Sequence, residues 1–132
     1  MSKSAIYVVN NTNPLVTVDS VIPLGSVIRR FGCALALNGN TVTADEVGYY
    51  DVAASVTAEP TAAGTVTVSL YNNGVAIPGA TASATAAAGD PVNVSFESLV
   101  RVLCHGAPGA LTLVLSGAEA TLTNVAIVAE KI

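Results

Sequence analysis

Cys104 and His105 stand side by side, the one arrangement in the chain that a nucleophilic enzyme could use, a thiol next to an imidazole able to take its proton. Adjacent side chains on a strand point to opposite faces, so His105 reaches the Cys104 thiol only where the chain turns. No third group is placed to orient the ring. A metal centre from Cys33, Cys104 and His105 would need three dispersed groups to converge and would still lack a fourth ligand, and no zinc spacing is present. Asp45-Glu46 brings two carboxylates together and could seed a Ca²⁺ site. Without further oxygen ligands at regular spacing, the pair reads as an exposed acidic turn. No Gly-rich phosphate loop occurs. Catalytic residues, cofactors and metals are therefore not expected, and Cys33 and Cys104 are expected as buried, reduced thiols, with a disulfide between them as the alternative.

The elements that would carry such groups are β-strands. In the stretch from Gly48 to Ala80, Tyr50, Val52, Ala54, Val56 and Ala58 fall on one parity and Tyr49, Asp51, Ser55 and Thr57 on the other. Val66, Val68 and Leu70 repeat the pattern against Thr65, Thr67, Ser69 and Tyr71. The run ends in Asn73-Gly74, a pair suited to a type I′ hairpin turn. Ahead of this stretch, residues 5 to 9 form a first strand or an arm. Val21 to Ile28 reads as one run whose Pro23 favours an edge or a bulge, and Asn38-Gly39 marks a second hairpin. After it, Ala80 to Ala88 alternates Ala with Ser and Thr between Pro78-Gly79 and Gly89-Asp90-Pro91, which favours a strand over the helix that alanine would otherwise support. Val92, Val94 and Phe96 and then Leu111, Leu113 and Leu115 each mark one apolar face. In the last strand, Leu122, Ala126 and Val128 and the opposite set Val125 and Ile127 are all apolar, as expected of a strand covered on both sides. Eight to ten strands at this spacing predict an all-β, antiparallel sandwich of two sheets. Residues 1–20 are read as an N-terminal arm or first strand and 21–132 as the sandwich domain.

With 132 residues, 52% hydrophobic and only 11% charged, the chain has less charge than a soluble subunit ordinarily carries. No apolar run reaches the length of a membrane helix, and the N-terminus has no apolar stretch of signal-peptide length, so a membrane partner is not expected and synthesis without export is. A net charge of −4 with five Lys and Arg disfavours nucleic acid, whose affinity comes from clustered cations. What remains is self-association, with part of the surface covered by copies of the chain. Arg29-Arg30 reads either as a solvated strand end or as an ion pair between subunits with a carboxylate such as Asp51 or Glu97.

The order of these pieces resembles a family. Gly48-Tyr49-Tyr50 opening a strand, Val68-Ser69-Leu70-Tyr71-Asn72-Asn73-Gly74, Gly89-Asp90-Pro91-Val92 and a hydrophobic terminal strand are similar to the jelly-roll heads of the C1q and tumour necrosis factor superfamily, over roughly residues 21 to 132. Bacterial and bacteriophage members occur as trimeric heads on collagen-like spore-surface proteins and as virion components. This chain departs from the animal members in having no Gly-X-Y stalk before the head, no Trp, and an aromatic core thinned to Tyr49, Tyr50, Tyr71, Phe31 and Phe96. The resemblance implies a non-enzymatic homotrimer of the phage capsid decoration or head-fibre type, located on the virion. The alternative is an adhesion or carbohydrate-binding head on a bacterial cell or spore surface. The trimer contact is expected from Leu122, Val125, Ile127 and Val128 with Arg29 and Arg30. Any glycan or cell-surface site is expected in the loops around Asp45, Glu46, Asn72, Asn73 and His105.

Overall fold

A computed structural model describes residues 3–102 and 108–132, and every regular element in them is a strand. In chain order these are β1 (Ala5–Asn10), β2 (Leu15–Val16), β3 (Ser20–Val21), β4 (Ser26–Phe31), β5 (Leu35–Asn38), β6 (Thr41–Ala44), β7 (Gly48–Pro60), β8 (Gly64–Asn72), β9 (Val75–Ala86), β10 (Val92–Val102), β11 (Gly109–Ser116) and β12 (Ala120–Lys131). They form two antiparallel six-stranded sheets. The first runs β10-β7-β12-β1-β4 with β2 on β12, and the second runs β5-β6-β11-β8-β9 with β3 on β11. The expected two-sheet sandwich is present, with ten substantial strands and two two-residue ones.

The alternation seen in the sequence sets which face of each sheet is dry. Along β7, Tyr50, Val52, Ala54, Val56 and Ala58 are buried, while Asp51, Ala53, Ser55 and Thr57 between them are half-buried on the outside. Ile6, Val8 and Ile127 from the first sheet meet Val68, Leu70, Leu111, Leu113 and Leu115 from the second in one continuous core. Burial of this apolar area, not local propensity, selects the strand register, because a slip of one residue would turn every side chain over.

Two local readings change. Val21 to Ile28 is not one strand: β3 pairs with β11 in the second sheet, the chain crosses with Ile22 and Leu24 buried, and β4 pairs with β1 in the first. Pro23, which has no N–H for a ladder, lies in the crossing. Pro78-Gly79 does not precede a strand but lies inside β9, where the register with β8 shifts between Ser69 and Tyr71 to make a bulge. Of the arm or first strand read over residues 1–20, the described part holds a strand: β1 lies between β12 and β4 with Ile6 and Val8 buried, and β2 and β3 extend one sheet each. The strand assignment for the Ala-rich run holds through Ala86. The Asn73-Gly74 hairpin is present too, with Asn73 at φ 54° and Gly74 at φ 80°, values that suit the asparagine and glycine found there.

Candidate self-association face

The outer faces of the two sheets differ in chemistry. On the second sheet, Thr65, Thr67 and Ser69 of β8 lie opposite Thr85, Ser83 and Thr81 of β9, with Thr112 and Ser116 on β11 beyond them. The hydroxyls of Thr65 and Thr85, and of Ser69 and Thr81, hydrogen-bond at 2.9 Å. No charged side chain stands among these residues. On the first sheet, cross-strand register builds rows. Leu99, Asp51, Glu130, Ala5 and Phe31 lie side by side across β10, β7, β12, β1 and β4, and the next row holds Glu97, Ala53, Val128, Tyr7 and Arg29. Leu99 is 57% exposed, Phe31 59% and Val128 41%, and Tyr7, Tyr49 and Ile132 are also exposed. Ala53, Ser55, Ser95, Ala126 and Val128 line a shallow open trough of about 360 Å³ in the middle of the face. All six residues of β4 are exposed, so this edge strand shows Val27, Ile28 and Phe31 together with unpaired backbone groups. An edge of that kind is ordinarily covered or blunted by charge.

The expected contact residues divide between inside and outside. Leu122, Val125 and Ile127 do not face outward, because all three are fully buried against the second sheet. A bulge is the cause. The register of β12 on β7 shifts between Leu122 and Asn124, so Thr123 is an extra residue and the inward parity switches there. The Thr123 hydroxyl donates to the Thr57 carbonyl at 3.4 Å. Of the expected last-strand set, Val128 is on the outer face, with Ala126 beside it. Arg29 and Arg30 also separate. Arg30 Nε donates to the Leu35 carbonyl at 2.6 Å and ties β4 to β5, whereas Arg29, opposite Tyr7, is exposed and donates to the carbonyl of Ile28.

Asp45, Glu46, Asn72 and Asn73 do gather at one end of the sandwich, where Gly109 pairs with Ala44 and Leu111 with Asn72. Their polar groups largely hold that end together. Asn72 Oδ1 accepts the Ala110 N–H at 3.1 Å, the Asn73 N–H goes to the Ala110 carbonyl, and the Asp45 N–H goes to the Ala34 carbonyl. Glu46 accepts the Tyr50 hydroxyl on its carbonyl at 2.7 Å, and its carboxylate lies 3.9 Å from Lys131 Nζ. His105 and Cys104 lie outside the described residues. Cys33 is exposed, contrary to expectation, because β4 ends at Phe31 and the thiol sits in the Gly32-Cys33 turn instead of on the strand continued by Leu35. No group of three or more His, Cys, Asp and Glu among the described residues could hold a metal ion.

The sequence reading missed Tyr7, Phe31, Leu99 and Glu130 as residues of one surface. The parity of β7 marked Asp51 and Ser55 as outward-facing, but the neighbouring rows depend on strand order, which is a long-range property. One electrostatic feature also emerges only from pairing. Glu97 on β10 and Asp51 on β7 are diagonal neighbours, and the Glu97 carboxyl is held above its ordinary value by a hydrogen bond with Asp51 and by the charge of that carboxylate. Glu130 sits directly opposite Asp51 on the other side, on β12.

No protein-family model matches the sequence, and no curated protein matches it at a significant level. Solved structures do. Murine APRIL (crystal form at pH 8.0) superposes with a TM-score of 0.72 at 16% identity, covering 99% of this chain and 100% of that one. The globular domain of zebrafish complement 1qA gives 0.67 at 8% identity over 97% and 95%. PRD1 vertex protein P5 gives 0.68 at 14% identity over 98% and 96%. Two six-stranded antiparallel sheets in this order, matched end to end by these structures, make the chain a jelly roll of the C1q and tumour necrosis factor type.

Proposed function

We propose that this chain is a non-enzymatic structural module that assembles as a homotrimer through the outer face of the first sheet and serves as a decoration or head-fibre protein on a virion. The observation carrying this reading is the contrast between the two outer faces. One is rich in Ser and Thr hydroxyls, with Val21 and Val114 paired beside them, and the other presents Leu99, Phe31, Tyr7, Tyr49 and Val128 around an apolar trough, next to an edge strand exposed on both sides. Contiguous apolar surface of that kind marks an interaction site. A homotrimer is what the resemblance to C1q and tumour necrosis factor heads implies. The placement on a particle rests on the structural likeness to a protein named for a vertex and carries the weight of a fold analogy.

The test is the mass of the native protein in solution at micromolar concentration, followed by co-sedimentation with empty phage heads. A trimer that pellets with the heads supports the whole reading. A trimer that ignores them but binds a glycan array moves the role to an adhesion head, and a monomer overturns the assembly step. The adhesion reading finds less support in the structure, because Asn72 and Glu46, two of its loop residues, already spend their side chains inside the protomer.

A further inference from the structure

We infer that Arg29 of one copy docks on the paired Asp51 and Glu97 carboxyls of the next, so that the outer face of the first sheet is a charge-matched interface between copies of this chain. The inference rests on the self-association reading above and adds to it which residues meet.

Among the described residues, Arg29, Asp51, Glu97 and Glu130 make no ion pair inside the protomer. Arg29 lies on β4 at one margin of the sheet, and Glu97 on β10 at the other. Four strand spacings separate them, roughly 19 Å, which no arginine spans. The separation is therefore built into the fold, and Arg29 and Glu97 can meet only between molecules. Both ends of the face carry the same apolar flanks. Phe31 and Tyr7 stand beside Arg29, while Leu99 and Ala53 stand beside the acids. Laying the β4 margin of one copy over the β10–β7 margin of the next covers Phe31 and Leu99 and brings the guanidinium to the carboxyls. A planar guanidinium suits two neighbouring carboxyls because it can donate to both.

The groups facing Asp51 and Glu97 are Glu130 from β12, Leu99 and Arg101 from β10, and Tyr49 from β7. Arg101 is occupied over the Tyr49 ring, 5.7 Å from its centroid. Three acids therefore face the partner, with Arg101 engaged on Tyr49 and Lys3 beside Glu130 and Phe31 at the near end of β1. Two kinds of contact predict opposite pH behaviour. If Arg29 of the next copy arrives, binding favours the ionised form of Glu97 and weakens as pH falls through the carboxyl range. If the acids are covered without a cation, binding favours the protonated forms and tightens as pH falls.

The experiment is sedimentation equilibrium of the full chain across pH 4 to 7 and across salt concentration, with Arg29→Gln, and with Arg29→Glu alone and combined with Glu97→Arg. The expected result is that association weakens toward acid and toward high salt and drops about tenfold or more in Arg29→Gln. Arg29→Glu should drop further, and the combined charge swap should recover most of the loss. Tightening on acidification, or Arg29→Gln associating like the parent, overturns this pairing while leaving self-association intact. A parent chain that stays monomeric under all conditions overturns self-association as well. Thermal melts of each variant separate a lost contact from a lost fold.

Discussion

The hydroxyl oxygen of Ser4 accepts the backbone N–H of Ala34 at 3.0 Å, joining the start of β1 to the turn that leads from β4 into β5. Ser4 is fully buried, and the neighbouring Gly32, at φ 79°, leaves no space for a Cβ against Ser4 Oγ and the Lys3 carbonyl. Ser4→Ala strands a buried amide and should lower unfolding stability by about 1–3 kcal/mol. Gly32→Ala adds a clash and a strained backbone and should cost more than Ser4→Ala. Denaturant titration of both variants gives the order, and a Gly32→Ala chain as stable as the parent would show that this corner yields freely.

Position along β12 should separate folding from assembly. Val125 and Ile127 are in the protomer core, so Val125→Asp should destabilise the fold by roughly 3–5 kcal/mol. Val128→Asp, on the outer face, should leave the melting temperature of the protomer nearly unchanged and reduce association. Circular dichroism melts paired with sedimentation distinguish the two, and equal behaviour of both variants would contradict the bulge at Thr123.

Burial, helped by the charges of Glu46 and Asp45, pushes the Tyr50 phenol above its ordinary 10.0. A folded-state value raised above the unfolded one means that the neutral phenol contributes its full stability below about pH 10 and loses it as pH rises through the folded value. The protein should therefore unfold on strong alkalinisation. Tyr50→Phe should lose about 1 kcal/mol at neutral pH, for the hydrogen bond to the Glu46 carbonyl, and show a shallower alkaline decline. Melts at pH 7 and across pH 9 to 12 read both effects.

Cys33 is exposed in its turn and should react with a thiol reagent in the native protein without denaturant. A rate that appears only with denaturant would place the side chain inside.

Much of the sandwich was legible from strand parity. The Tyr50-to-Ala58 and Leu111-to-Leu115 alternations fixed inside and outside correctly because each strand there runs without an insertion. Legibility failed where one residue changes the count. Thr123 reverses the parity of β12, so Leu122, Val125 and Ile127 share one face despite their spacing. It failed again where the chain changes sheet, because Ile22 and Leu24 are buried in a crossing that looks like a strand. The candidate face depended on neighbours across strands, such as Asp51 between Leu99 and Glu130, and residues nearly eighty positions apart leave no local trace of their contact. The adjacent arginines could not be told apart in sequence, since their different fates follow from which side of an edge strand each occupies.

Because β1 and β12 pair with Ala5 opposite Glu130, and the Lys131 N–H reaches the Ser4 carbonyl, the two described ends of the chain leave the sandwich at one pole. Cargo fused at either end would hang from the same side. A short linker joining those ends, with a new opening cut at the Asn73-Gly74 hairpin, would give a rewired polypeptide that keeps every ladder of the present one.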